Sequence, residues 1–355
     1  MINFTSYSTQ FKTAALEKGL QEETVASLLQ YAEKLFRRGL PIIYDQIHFS
    51  LLVGYDYGFL IAASNDSSFF YKHYEVPKRN GGVRAISEPL PSMKEIQSWI
   101  LREILNPAAK TMVSPVAKAF IPGKSLRENA RFHKRKGQVV ALDITDFFPS
   151  IGFGAVLGVF EQMGYSKSVS VMLARLCTLH GALPQGAPTS PMLSNMFFKS
   201  TDDRLFHYCR KRNIQYTRYA DDLVFSGNDL SSQHLISYVK MLLAPRQLVL
   251  NEKKTKVMGR GCRQSVTGVV VNEKIQVSRE YRNKVRQEVY YCIKYGESSH
   301  FSRIQETLPD WINSPAVYLK HLLGKVYFVL QVNPEDKTFA EYRDWLKVRL
   351  SVRMM

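Results

Sequence analysis

Apolar residues recur at helical spacing through much of the chain, and the places where that rhythm changes mark its organisation. Over residues 1–68, Val25, Leu28, Leu29 and Ala32 keep the helical period until Pro41 interrupts it, which predicts a helical scaffold. From Tyr71 two extended runs flank Asn80-Gly81-Gly82, a hairpin signal whose tip is basic through Lys78, Arg79 and Arg84. Ser92 and Glu95 have capping-box spacing ahead of a stripe formed by Met93, Ile96, Ile100 and Ile104. Asn106-Pro107 is expected to end that helix. Residues 139–142 are a short apolar strand-like run that stops on Asp143. Val169, Met172, Leu173, Leu176 and Cys177 give another buried helical face, up to Gly181. Residues 183–191 carry three prolines and Gly186, so they break both helix and strand ladders.

Further on, residues 215–227 place aromatic and β-branched positions around Asp221 and Asp222, predicting a β-hairpin with both acids at its tip. Leu235, Ile236, Val239, Leu242 and Leu243 mark an amphipathic helix. Residues 264–272 read as strand, tight turn and strand, and residues 280–355 as helices. Trp311, Tyr318, Tyr327, Phe328 and Trp345 are expected in the core of that tail.

Two adjacent carboxylates on a tight turn repel each other, and a cation is the ordinary remedy. Asp143, at the end of a buried strand, would complete an all-oxygen cage suited to hard divalent cations. Mg²⁺ is the natural occupant, and two such ions about 3.5–4 Å apart serve phosphoryl transfer in polymerases.

Composition narrows the partner. The net charge of +17 on 355 residues points to a polyanion, nucleic acid before membrane. Lys124, Arg127, Arg131, Lys134, Arg135 and Lys136, with Phe120 and Phe132 interleaved, suit a phosphate backbone and stacked bases. Cys177, Cys209, Cys262 and Cys292 are scattered, which argues against structural zinc and a disulfide framework. Residues 1–10 are polar and form no secretory h-region. The longest apolar stretch, residues 51–63, is too short for a bilayer and contains Asp56. A soluble cytoplasmic protein with no membrane partner is expected.

Tyr219-Ala220-Asp221-Asp222 resembles the Tyr-x-Asp-Asp signature of reverse transcriptases, and Asp143 with its neighbours resembles their first palm motif. Residues 183–191, Leu-Pro-Gln-Gly-Ala-Pro-Thr-Ser-Pro, are similar to the intervening motif, and residues 250–256 to the fourth palm motif. The resemblance spans residues 71–286. Asn129-Ala130-Arg131-Phe132-His133 and Val266-Thr267-Gly268 are similar to two features of the retron type in particular.

The resemblance implies an α+β right-hand polymerase with fingers, a palm built on an antiparallel sheet and a helical thumb. The corresponding divisions are an N-terminal helical region at 1–70, fingers at 71–137, palm at 138–275 with part of the fingers inserted around 153–195, and thumb at 276–355. It implies Asp143, Asp221 and Asp222 as catalytic residues and ligands of two Mg²⁺ ions. It implies nucleotide contacts from Lys78, Arg84, Gln185 and Lys254, with Phe148 as a steric gate against ribose. Asp146 is not expected to bind metal. Lys124, Arg127, Asn129, Arg131, His133, Val266, Thr267 and Gly268 are implied as RNA or DNA contacts, with a hydrogen-bonding core role for His133 left open beside this.

The implied activity is RNA-directed DNA synthesis from dNTPs on a cognate structured noncoding RNA. Priming from a guanosine 2′-hydroxyl would give branched RNA–DNA (msDNA), in an anti-phage system with a separate effector protein. Two alternatives stand beside it. One is a group II intron-like or diversity-generating reverse transcriptase, disfavoured because no endonuclease or maturase segment is recognisable after the thumb. The other is an RNA-binding scaffold that restrains an effector.

Overall fold

The structure is a computed structural model that describes residues 3–78 and 81–352. Arg79 and Asn80, at the expected basic hairpin tip, lie outside the described residues. The fold class is α+β, and the chain divides into two compact units, each assembled from separate segments.

The first unit comprises Met1–Ile121, Ile144–Tyr208 and Ser237–Asn251. Its N-terminal helices, Phe4–Glu17 and Glu22–Arg37, follow the predicted period, with Val25 and Ala32 buried. Glu22 and Glu23 in the first turn and Lys34 and Arg37 in the last complement the helix dipole. The apolar run at 51–63 falls in two short helices, Gln46–Val53 and Tyr57–Asn65, capped by Asp45 and Asp56 and bent by 107°. Among the described residues no single helix is long and apolar enough to cross a membrane.

Strands β1 (Tyr71–Pro77) and β2 (Val83–Pro89) pair antiparallel as the expected hairpin. The helix that follows departs from expectation at both ends. Leu90, not Ser92, is its N-cap, with Pro91 in the first turn. Asn106-Pro107 does not stop it either: the ladder widens to a π turn over Ile100–Leu105 and resumes as Asn106–Met112. The widened π turn lies immediately before Pro107, so the helix accommodates the proline ring without ending. Met93, Ile96, Ile100 and Ile104 are fully buried, as their spacing predicts.

Residues 183–189 are irregular, and the helix Ser190–Arg210 follows them. This loop lies against β2, where the Ser87 N–H donates to the Gln185 carbonyl at 2.7 Å. Gly186 has φ +122, and a Cβ there would stand 2.7 Å from the Ser87 carbonyl oxygen. Only glycine allows both the backbone angle and the approach. Gly186→Ala should therefore destabilise the protein by about 2–4 kcal/mol, read as a lower midpoint in urea. An unchanged midpoint would show that this loop is not held against the hairpin.

The second unit comprises Pro122–Asp143, Cys209–Ile236 and Glu252–Met355. Its sheet contains β3 (Gln138–Asp143), β4 (Gln215–Tyr219), β5 (Asp222–Gly227) and β6 (Lys256–Gly259), in the order β4-β5-β3-β6. All its neighbours pair antiparallel. A second hairpin joins β7 (Ser265–Val266) to β8 (Val269–Val270). The helices Arg279–Tyr295, Glu297–Ile304, Pro315–Val332 and Lys337–Val352 share one core with Val139 and Val224 of the sheet and Val266 and Val269 of the hairpin.

Tyr318 is buried in that core, and Phe328 and Trp345 pack against it. Trp311 and Tyr327 do not, being 59% and 43% exposed, which corrects the expectation of burial for these two. Each instead meets a polar neighbour: Trp311 lies edge-on to His321, and the Lys347 ammonium sits over the Tyr327 ring.

Candidate active site

β3 delivers Asp143 at its last position, and β5 opens on Asp222. The strands pair so that these two residues are direct partners, Asp143 opposite Asp222. Directly opposed residues of antiparallel strands point to the same face with Cα atoms about 4.5–5.5 Å apart, so the two carboxylates are neighbours. Tyr219 pairs with Asp222, which leaves Ala220 and Asp221 as the whole loop of the β4–β5 hairpin.

This crowding is visible in the protonation of Asp222, which is raised to about 7. Burial is the largest cause, followed by the charges of Asp221 and then Asp143, while Lys254 and Lys256 act in opposition. Lys254, at the end of the 3₁₀ turn Glu252–Lys254, places its ammonium 3.0 Å from both oxygens of Asp143. That hydrogen bond is the main reason its own pKa is raised, so the side chain stays protonated.

The donor set is all oxygen and carries excess negative charge that a hard divalent cation would relieve. Among the described residues, however, no group of three or more His, Cys, Asp or Glu side chains is arranged to hold a metal ion. Asp143 and Asp222 are thus brought together, with Asp221 beside them in the turn, but they do not form a closed cage.

The expected nucleotide contacts other than Lys254 belong to the first unit. Lys78 and Arg84 are exposed on the β1–β2 hairpin, with Arg84 opposite Val76. Gln185 is partly buried, and its carbonyl is tied to β2 as described. Phe148 is partly buried between Phe120, at 6.2 Å, and Phe147, at 5.6 Å between ring centroids.

The second unit revises the nucleic-acid surface. Arg127 and Arg131 are exposed around the short helix Leu126–Arg131, whose N-cap Ser125 accepts from the Glu128 N–H. Lys124 is exposed and paired with Glu128 at 2.9 Å. Asn129 and His133 are fully buried, and Val266 is 1% exposed, so the expectation that these three touch RNA is corrected. His133 instead ties the two strands of the acidic hairpin together. Its Nδ1 lies 2.8 Å from the Ser226 hydroxyl on β5, and its Nε2 lies 2.7 Å from the Thr217 hydroxyl on β4.

Asn129 Nδ2 reaches the Thr267 hydroxyl at 3.5 Å, so the two motif elements meet each other. Thr267 and Gly268 form the loop of the β7–β8 hairpin with φ +46 and +83, and Gly268 is exposed. Two positive φ values are the signature of a type I′ turn, which explains a glycine there.

Burial holds the His133 imidazole neutral, with its pKa lowered to about 3 and the Lys136 charge a lesser cause. In the unfolded chain it would take up a proton near pH 6.5. The stability it contributes is therefore complete above about pH 6.5 and is lost as pH falls through that value toward about 3. Between pH 7 and pH 5 the wild type should lose about 2 kcal/mol more than His133→Gln in urea melts. Equal losses would contradict a neutral buried ring.

Sequence reasoning missed three internal contacts. Arg218 is fully buried and donates to the Ala220 carbonyl. Gln264 donates to the carbonyls of Lys136, Gly137 and Met258, linking the β7 segment to the sheet edge. The Arg135 N–H donates to the carbonyls of Val271 and Asn272. An arginine inside an otherwise strand-forming run was the one available signal.

The family described as reverse transcriptase (RNA-dependent DNA polymerase) matches residues 76–286. The retron Mx65 reverse transcriptase of Myxococcus xanthus is 32% identical over 339 residues, covering 89% of this chain and 75% of that protein. The retron Ec86 reverse transcriptase of Escherichia coli is 34% identical over 240 residues, covering 66% and 74% respectively. Among solved structures, apo telomerase from Candida tropicalis is similar at 12% identity and a TM-score of 0.48, covering 79% of this chain and 58% of that one. That likeness is too remote to bear on activity.

Proposed function

This chain belongs to the reverse transcriptase family and, within it, to the retron type of RNA-directed DNA polymerase; from that premise we propose that Asp143, Asp221 and Asp222 form its two-metal centre. The observation that carries this is the pairing of Asp143 with Asp222 across β3 and β5, with Asp222 raised to about 7 by burial and by the other two acids. Two Mg²⁺ ions held there would activate an attacking hydroxyl and stabilise the leaving phosphate oxygen.

The protein's own groups do the rest. Lys254, protonated beside Asp143, gives charge or a proton to the departing pyrophosphate. Lys78 and Arg84 bind the triphosphate, Arg84 through its two-pronged guanidinium. Gln185 contacts the nucleotide, and the Phe148 ring excludes a 2′-hydroxyl. Exposed Lys124, Arg127, Arg131 and the Thr267–Gly268 turn contact nucleic acid. In this reading residues 1–70 are the N-terminal helical region, 71–137 the fingers, 138–275 the palm with part of the fingers around 153–195, and 276–355 the thumb.

The substrate is a cognate structured noncoding RNA that serves as both template and primer. Synthesis starts from a guanosine 2′-hydroxyl and leaves branched msDNA, which acts with a separate effector in anti-phage defence. The retron Mx65 and Ec86 enzymes, at 32% and 34% identity, support this reading over the group II intron-like one. Sequencing the nucleic acid that copurifies with the full chain tests it. A 2′–5′ junction at a guanosine is expected. A linear 3′-primed copy would favour the alternative, and bound RNA with no DNA would favour a scaffold.

A further inference from the structure

The turn that carries Asp221 and Asp222 is strained. Ala220 occupies the first of its two loop positions at φ +57, a left-handed conformation that costs an L residue about 1–2 kcal/mol. Glycine is the ordinary choice at such a place. The chain has alanine, so other contacts must hold the geometry.

Arg218 lies two residues upstream. It is fully buried, and its Nη1 donates to the Ala220 carbonyl at 3.1 Å. A guanidinium taken out of water is costly unless its donors are used, and the Ala220 carbonyl takes one of them. The carbonyl it grips belongs to the peptide between Ala220 and Asp221. Holding that oxygen fixes the plane of the peptide, and with it ψ of Ala220 and φ of Asp221. These two angles set the direction in which Asp221 leaves the turn and the start of β5 at Asp222.

We propose that Arg218 is a positioning residue whose guanidinium clasps the Ala220–Asp221 peptide and keeps the two acids in the orientation that metal loading and nucleotidyl transfer require. This rests on the reading that Asp221 and Asp222 hold divalent cations. His133 bridges the same two strands further back, through Thr217 and Ser226, and Arg218 acts at the turn itself.

The test is a double-mutant cycle on the full chain with Arg218→Lys, Ala220→Gly and the pair combined. Three quantities are measured: kcat and KM for dTTP on poly(rA)/oligo(dT), Mn²⁺ binding by electron paramagnetic resonance, and thermal melts. Arg218→Lys should lower kcat about tenfold to a hundredfold and weaken Mn²⁺ binding, with KM for dTTP changed less than about threefold. In the Ala220→Gly background the same substitution should cost less than about a third as much on a logarithmic scale, because glycine does not drive the turn out of its left-handed geometry.

An unchanged kcat in Arg218→Lys, or equal losses in the two backgrounds, overturns the proposal. Should Arg218→Lys not fold, Arg218→Gln takes its place in the same cycle. Folding of either variant only in the Ala220→Gly background supports the clasp, and folding in neither background assigns Arg218 to core packing and overturns it. The two readings separate through Asp222→Asn. If that variant keeps DNA synthesis, the metal assignment falls. If synthesis is lost there while the cycle shows no coupling, only the clasp falls.

Discussion

Asp222→Asn should lower DNA synthesis by at least about a thousandfold while making the protein more stable at pH 8 in the absence of divalent cations. The two halves of this result have one cause. Asparagine keeps the shape of the side chain and one acceptor oxygen but removes the charge that a metal needs. It also removes the repulsion from Asp221 and Asp143 and the cost of burying an anion, which together raise Asp222 to about 7.

For a group raised in this way, the stabilising contribution is present below the unfolded pKa, near 4, and is lost as pH rises through about 7. At pH 8 the ionised wild type therefore carries a penalty on the order of 2–4 kcal/mol that the asparagine variant lacks. Urea melts in chelator at pH 8 should show the variant with the higher midpoint, and at pH 4 the difference should largely vanish. Added Mg²⁺ should stabilise the wild type and leave the variant unmoved. Retained synthesis above about one per cent of wild type, or lower stability at pH 8, would remove Asp222 from the metal centre.

Phe148→Ala should raise ribonucleotide incorporation relative to deoxyribonucleotide by on the order of a hundredfold. A side chain that rejects one extra hydroxyl by contact alone is worth about 1–3 kcal/mol. The ring is held by Phe120 and Phe147, so its truncation also costs stability, about 1–3 kcal/mol for a partly buried aromatic. The ratio of kcat/KM values for a ribonucleotide and its deoxy counterpart cancels that loss, because both are measured on the same folded fraction. A ratio equal to wild type would leave Phe148 as a packing residue.

Much of the fold can be read along the chain. The β4–β5 hairpin is legible because two acids interrupt a run of strand formers, and β3 because an apolar run stops on Asp143. The buried faces at Met93–Ile104 and Val169–Cys177 follow from spacing alone, since a helix fixes which residues share a side. Asn106-Pro107 misleads because a proline does not always stop a helix, and here the π turn over Ile100–Leu105 lets the helix absorb it. Trp311 and Tyr327 mislead because aromatic identity does not guarantee burial.

The functional residues divide in a similar way. Asn129, His133 and Val266 are recognisable as motif letters, yet they lie inside and not at the surface. A motif specifies residue types, whereas exposure depends on what folds over them. His133 is enclosed by hydroxyls 84 and 93 positions away. Arg218 gives almost no signal, because nothing next to it in sequence states that a strand arginine will point inward at a turn.

What the amino-acid sequence determined by itself was the set of local elements and the identity of the three acids, since periodicity, turn chemistry and propensity act over a few residues. Tertiary structure decided that Asp143 and Asp222 are partners across β3 and β5, that Lys254 rests on Asp143, that His133 faces the interior, and that Ala220 adopts a positive φ with its carbonyl bonded to Arg218. Strand register and burial are set by segments that meet only after the chain has folded, and it is their meeting that shifts Asp222 to about 7.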